Sequence, residues 1–176
     1  MHKYSGGDAE TGDLMGLFGP KEKIKVKKRP AGAIAYIEHR GPYGKIPFDE
    51  YMGKLYAFAK LSKVRPGWKP FAVYTTDPNT TPEAENVTQV AIDIAKEVPA
   101  SGEVKVRSLP ETDVAVMEHN APAEEYNRSY AELGKWISDN GYVTAGPPLE
   151  IYTAKPKMKD GKMIIFSEIQ FPVRKK

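Results

Sequence analysis

Two stretches decide the fold when laid one over the other: KIKVKKRPAGAIAYIEHRGP, Lys23 to Pro42, and EVKVRSLPETDVAVMEHNAP, Glu103 to Pro122. They match at an offset of about 80 residues, long enough for each copy to be one supersecondary unit. Val26 meets Val106, Pro30 meets Pro110, Ala35 meets Ala115, and Glu38-His39 meets Glu118-His119. With a slip of a residue or two, PFAVYT (Pro70 to Thr75) then lies over PLEIYT (Pro148 to Thr153). TQVAIDI (Thr88 to Ile94) lies over SEIQFPV (Ser167 to Val173). The order of elements is the same in both copies.

Each copy reads strand, helix, strand, strand. The first strand is interrupted by its proline, which suits an edge or a bulge, and it ends at a turn, His39 to Pro42 or His119 to Pro122. A helix follows. Phe48, Tyr51, Met52, Leu55, Phe58 and Ala59 recur at threes and fours in one copy, as do Tyr126, Tyr130, Leu133, Trp136 and Ile137 in the other, so each stripe faces a sheet. Asp139-Asn140-Gly141 stops the second helix, and Lys159-Asp160-Gly161 marks a hairpin between the closing strands. The expected fold class is α+β: duplicated strand-helix-strand-strand modules about a pseudo-two-fold axis, with antiparallel sheets. The expected division is a glycine-rich arm over 1–22, then one domain over 23–176 built from repeats 23–98 and 103–175. Leu14, Met15, Leu17 and Phe18 in the arm are the residues that would cover a pocket.

Bulk properties bound the function. The chain has 176 residues, 40% of them hydrophobic, enough for one domain with a sizeable core. No apolar run reaches the roughly 18 residues of a membrane span, and the N-terminus lacks the order of a signal peptide, so a cytoplasmic location is expected. With no cysteine there is no thiol nucleophile, disulfide framework or thiolate zinc site. Against 23 acidic residues stand 26 basic ones, for a net charge of +3, too balanced to argue for direct nucleic-acid binding. His39 and His119 have only Glu38 and Glu118 beside them as further metal-type ligands, so they read as structural histidines and no metal or cofactor is expected.

The last strand, IIFSEIQFPV over Ile164 to Val173, carries Glu168 inside an apolar run. Alternation sends Ile165, Ser167, Ile169, Phe171 and Val173 to a core face, and Ile164, Phe166, Glu168 and Gln170 to the other. Read alone, Glu168 fits a solvated residue beside a lysine.

The duplicated layout, the EHRGPY turn at Glu38 to Tyr43, the GPPLEIY stretch at Gly146 to Tyr152 and the closing SEIQFPV together resemble the GyrI-like small-molecule-binding family, also called the bacterial transcription activator effector-binding domain. The resemblance covers roughly residues 22 to 175. It implies a concave ligand cleft with helices on the outside, taking aromatic or cationic compounds, with a last-strand glutamate at its base; Glu168 is the matching position. The duplication places Gln89 at the equivalent point of the first copy. Taking Val73 and Ile151 as core turns Tyr74 and Tyr152 toward Gln89 and Glu168. Phe166, Trp68 and Tyr36 complete the expected lining. The expected function is small-molecule binding for sequestration or sensing, and the residues before the first repeat are too few for a helix-turn-helix region. The alternatives are a hydrolase of electrophilic, cyclopropane-bearing compounds using Glu168 and Tyr152, and a gyrase-interacting inhibitor acting on a protein partner.

Overall fold

The computed structural model describes residues 22–176; the expected arm and its apolar residues Leu14 to Phe18 lie outside the described residues. In chain order the elements are β1 (Ile24–Arg29), β2 (Gly32–Arg40), α1 (Phe48–Leu61), β3 (Phe71–Tyr74), β4 (Val87–Ile94), β5 (Lys105–Leu109), β6 (Thr112–Pro122), α2 (Tyr126–Asp139), β7 (Tyr142–Thr144), β8 (Leu149–Lys159) and β9 (Lys162–Lys175). The strands make one nine-stranded sheet in the order β1-β6-β9-β8-β3-β4-β2-β5, with β7 joined to β9, and every named pairing is antiparallel.

The two repeat prolines explain this order. Pro30 separates β1 from β2 and Pro110 separates β5 from β6, because a proline has no N–H to donate to a ladder. The strand bends there and changes partner. β1 pairs with β6 and β5 pairs with β2, so each repeat lends its first limb to the other.

At the centre of the sheet β3 meets β8, with Phe71 opposite Ile151, Ala72 opposite Glu150 and Val73 opposite Leu149. Ala72 and Glu150 are also equivalent positions of the two repeats, so the pseudo-two-fold axis passes between them.

Both helices pack on one face of the sheet, α1 against β2 and β4, α2 against β6 and β7. Their apolar stripes do the packing. Leu55, Phe58 and Ala59 of α1 join Ala35, Ile37, Val90 and Ile92 in one core; Leu133 and Ile137 of α2 join Ala115, Met117, Ile169 and Val173 in the other. Leu55 and Leu133 occupy matching turns and are fully buried, each contributing roughly 1.5–3 kcal/mol by removal from water. Asp49 and Glu50 in the first turn of α1 suit the positive end of the helix dipole. Gly141, at φ +82, closes α2 in the left-handed conformation that disfavours a side chain. The other face of the sheet has its own smaller core of Ile34, Phe71, Val73, Ala91 and Leu149. The central strands are therefore buried on both sides.

Candidate functional site

Cross-strand partners share a face, so register decides which side chains meet. Glu150 lies opposite Ile169, and Tyr152 opposite Ser167, both core-face residues of β9; Tyr74 lies opposite Thr88. Glu150, Tyr74 and Tyr152 therefore point to the face the helices cover. There α1 and α2 stand apart over the axis and leave a cleft of about 1850 Å³. Its floor is the β3–β8 seam, and Phe48 and Met52 of α1 face Tyr126 and Tyr130 of α2 across it.

Glu150 is 5% exposed. Tyr130 donates to its Oε2 at 2.7 Å. Its Oε1 lies 3.2 Å from the Tyr74 hydroxyl and 3.3 Å from the Tyr152 hydroxyl, which are 3.1 Å from each other. Each hydroxyl has a single proton to give, so this triangle of oxygens holds one contact more than an ionised carboxylate and two tyrosines can fill with protons. A further proton, on Glu150 or from a ligand, completes it. Burial raises the pKa of Glu150, while hydrogen bonds from Tyr130, Tyr74, Tyr126 and Tyr152 work to lower it. Burial and the nearby carboxylate push Tyr74 and Tyr130 well up, which keeps them protonated as donors; burial and Tyr74, then Glu150, do the same to Tyr152.

Aromatic contacts fix these rings. Tyr43 meets Tyr74 edge-on at 4.8 Å, and Phe48 meets Tyr152 edge-on at 5.5 Å. Tyr126 stacks on His119 at 3.8 Å and hydrogen-bonds Ser167 at 2.7 Å. His119 is buried and spends both nitrogens locally: Nε2 donates to the Pro122 carbonyl at 3.2 Å, which leaves Nδ1 to accept from Ser129 at 2.8 Å. Burial lowers its pKa and keeps it neutral. It is a structural histidine that holds a cleft wall in place. Among the described residues no group of three or more His, Cys, Asp or Glu is placed to hold a metal ion, and no helix is long and apolar enough to cross a membrane.

A family model described as the GyrI-like small molecule binding domain matches residues 22–174. The chain belongs to the GyrI-like family. Small-molecule binding is therefore the role of the domain. No curated protein matches the chain closely enough to count as a relative. Among solved structures, EcmrR in complex with DNA superposes with a TM-score of 0.67 at 17% identity over 96% of this chain; this chain spans only 64% of that one. The EcmrR C-terminal domain by itself gives 0.66 at 19% identity, covering 87% of this chain and 98% of that domain. A hydrolase from Listeria innocua gives 0.64 at 17% identity, over 93% and 98% of the two chains. SAV2435 bound to tetraphenylphosphonium gives 0.51 at 10% identity, over 87% and 94%. At these identities the likeness is one of fold.

Within this GyrI-like domain the residues singled out in the sequence fall on two faces. Tyr74, Tyr152 and Trp68 line the cleft. Trp68 stands at the rim, 78% exposed, with the Lys69 ammonium 4.9 Å from its ring centre. Gln89, Glu168, Phe166 and Tyr36 do not line it. Gln89 is opposite Val73, and Glu168 is opposite Ile151, so the expected grouping of these polar residues with Tyr74 and Tyr152 is corrected: Val73 and Ile151 are core residues of the far face. Glu168 accepts from Lys27 at 2.7 Å and from Gln170 at 2.8 Å. Gln89 accepts from Arg107 at 2.6 Å, and Tyr36 lies under the Arg107 guanidinium at 5.4 Å. Phe166, one residue from core-face Ser167, takes the side of Glu168 by alternation.

The buried carboxylate on the cleft floor is Glu150, which sequence reasoning passed over. Its signal was the repeat itself: PLEIYT over PFAVYT puts a glutamate where the first copy has Ala72, in the buried opening of β8.

Proposed function

We propose that the cleft binds an aromatic cation, with Glu150 as its counter-charge and the tyrosine rings as its walls. One observation carries this: a buried carboxylate on the repeat axis, hydrogen-bonded by tyrosine hydroxyls at the floor of an aromatic cleft. A buried carboxylate is costly without a partner. An organic cation supplies that partner and gains ring-face attraction of roughly 0.5–2 kcal/mol. The fold shared with SAV2435, whose structure is bound to tetraphenylphosphonium, supports the reading. Binding of this kind serves sequestration or sensing of a toxic compound.

The test is calorimetric titration of wild type and Glu150→Gln with tetraphenylphosphonium and with neutral triphenylphosphine oxide. The expected outcome is that wild type prefers the cation by at least about tenfold, a difference of about 1.4 kcal/mol, and that Glu150→Gln erases the preference while keeping the neutral compound. Equal binding of both compounds to wild type would refute the counter-charge role.

A second reading is favoured by the proton count at Tyr74, Tyr152 and Glu150. Hydroxyls within reach of a carboxylate of raised pKa can hold and pass a proton, as hydrolysis of an electrophilic compound requires, and the Listeria innocua relative is described as a hydrolase. Glu150 with Tyr152 would then be the acid-base pair. Incubation with an epoxide- or cyclopropane-bearing aromatic compound, followed by mass spectrometry, separates turnover from binding: gain of one water, absent in Glu150→Gln, is the expected result of an enzyme.

A further inference from the structure

The sheet face away from the helices carries a second polar cluster. Part of it is a contact built twice. Lys27 to Glu168 at 2.7 Å and Arg107 to Gln89 at 2.6 Å are equivalent in the repeat, and each ties the first limb of one repeat to the last strand of the other. That contact accounts for four of the polar groups. Arg29 is left over.

The repeat equivalent of Arg29 is Leu109, so the duplication does not require a cation there. Its side chain is 13% exposed, lies 4.8 Å over the Phe71 ring, and has one long contact, 3.4 Å to Asp93. Burial lowers its pKa, Asp93 raises it and the Arg107 charge lowers it further. Around it Lys69, Thr153, Lys27, Glu168 and Gln170 close a pocket of about 230 Å³. Gln170 is 6% exposed and gives its Nε2 hydrogen to Glu168 at 2.8 Å. Its Oε1 is buried with no hydrogen-bond partner among the described residues.

Three cations, Lys27, Arg29 and Lys69, thus face two carboxylates, Glu168 and Asp93. A guanidinium fans out several N–H donors, and Arg29 meets a single, long protein acceptor with them. An anion resolves that. A buried acceptor, Gln170 Oε1, at the same place asks for a donor as well. A phosphate that retains one proton offers both.

We propose that this pocket binds a hydrogen-bearing oxyanion of phosphate size, either inorganic hydrogen phosphate or the end of a phosphate monoester taken as its monoanion, which keeps one P–O–H. Its oxygens accept from Arg29 and Lys69, and its O–H donates to Gln170 Oε1. Sulfate has the same shape and is fully deprotonated near neutral pH, so it can satisfy the cations but not Gln170. Lys69 and Thr153 line both this pocket and the cleft, so the phosphate is free or belongs to a ligand reaching round from the aromatic side.

Titration calorimetry of the full chain with inorganic phosphate, sulfate and phenyl phosphate, at fixed ionic strength and about pH 5, where both phosphates keep a proton and sulfate does not, tests this. Saturable phosphate binding is expected, at least about tenfold tighter than sulfate and at least about tenfold weaker in Arg29→Met, in keeping with a buried charge-assisted hydrogen bond. Tighter binding of phenyl phosphate than of phosphate identifies the tail of a cleft ligand; equal binding identifies the free ion. Lys69→Gln, in an exposed loop, is the second variant should Arg29→Met lose its cooperative thermal unfolding, and it is expected to weaken phosphate about tenfold. Glu150→Gln should leave phosphate affinity unchanged, which separates this site from the cation site. Sulfate binding as well as phosphate overturns the role of Gln170. No saturable phosphate binding, or undiminished binding in Arg29→Met and Lys69→Gln, overturns the site.

Discussion

The first repeat presents Phe48, Met52, Ala72 and Tyr74 to the cleft floor and walls, and the second presents Tyr126, Tyr130, Glu150 and Tyr152 at the same places. At these four positions the first repeat is apolar except for the Tyr74 hydroxyl. The second places a carboxylate and three hydroxyls at them. A scaffold with two-fold symmetry would offer a ligand two equivalent poses; for the cation proposed above this difference would favour one, with the charged end toward Glu150. The carboxylate is present once for a reason visible in the register. Ala72 sits directly opposite Glu150, so a glutamate at both positions would set two carboxylates against each other on the axis.

Restoring the symmetry is thus the most damaging change available. Ala72→Glu places a second carboxylate within about 5 Å, Cβ to Cβ, of Glu150 in a buried strand pair. An unpaired buried charge of this kind costs about 3–5 kcal/mol. Urea unfolding at neutral pH should show that loss, and acidification should reduce it as one of the coupled pair takes a proton. Ala72→Glu with Glu150→Ala moves the single carboxylate to the apolar half and should recover part of the loss. An unchanged unfolding midpoint in Ala72→Glu would mean that the two positions do not face each other.

A smaller effect is expected where the halves differ by one hydroxyl. Tyr130 donates to Glu150 at 2.7 Å, while Met52 at the matching turn donates nothing. Tyr130→Phe should cost about 1.5–3 kcal/mol, the range for a hydrogen bond to a charged group, and Met52→Leu under about 1.5 kcal/mol as a volume-conserving swap. The pH dependence separates them further. Burial raises the pKa of Glu150, so the native state holds that proton more tightly than the unfolded chain does. Its contribution is fully present below the unfolded carboxylate value and is lost as pH rises through the raised native value. On the proposed reading cation affinity should run the other way, increasing as Glu150 ionises. Tyr130→Phe removes one of the hydrogen bonds that lower this pKa and should move the tetraphenylphosphonium binding profile to higher pH, whereas Met52→Leu should not move it. Identical profiles for the two variants would show that Tyr130 does not act on the carboxylate.

The duplication, both helices and the breaks at Pro30 and Pro110 were legible in the sequence, because each rests on a period or a residue type with a local physical meaning. The orientation of the central strands was not. Phe71, Ala72 and Val73 are all buried, since helices cover one face and a second core covers the other. Period-two alternation loses its contrast in such a strand, and treating Val73 and Ile151 as the helix-facing core put Tyr74 and Tyr152 on the wrong side. Glu168 drew attention because β9 does alternate. Glu150, in a strand that does not, was concealed by the same burial that makes it useful.

The smallest predicted effect tests that reversal. Glu168→Gln converts the Lys27–Glu168 contact into the kind its repeat partner already uses, a basic side chain on a glutamine. Burial acts to raise the pKa of Glu168, but the hydrogen bonds from Lys27 and Gln170 outweigh it and hold the carboxyl below its usual value. That contribution is present above the unfolded carboxylate pKa and is lost as pH falls through the native one. The pair is partly solvated, with Lys27 41% and Glu168 24% exposed, so its loss should cost no more than about 1 kcal/mol. Tetraphenylphosphonium affinity should stay within about twofold of wild type, because the sheet itself stands between Glu168 and the cleft. Should Glu168→Gln abolish cation binding while Glu150→Gln leaves it intact, recognition would belong to the far face, and the division between an apolar and a polar half of the cleft would have no bearing on the ligand.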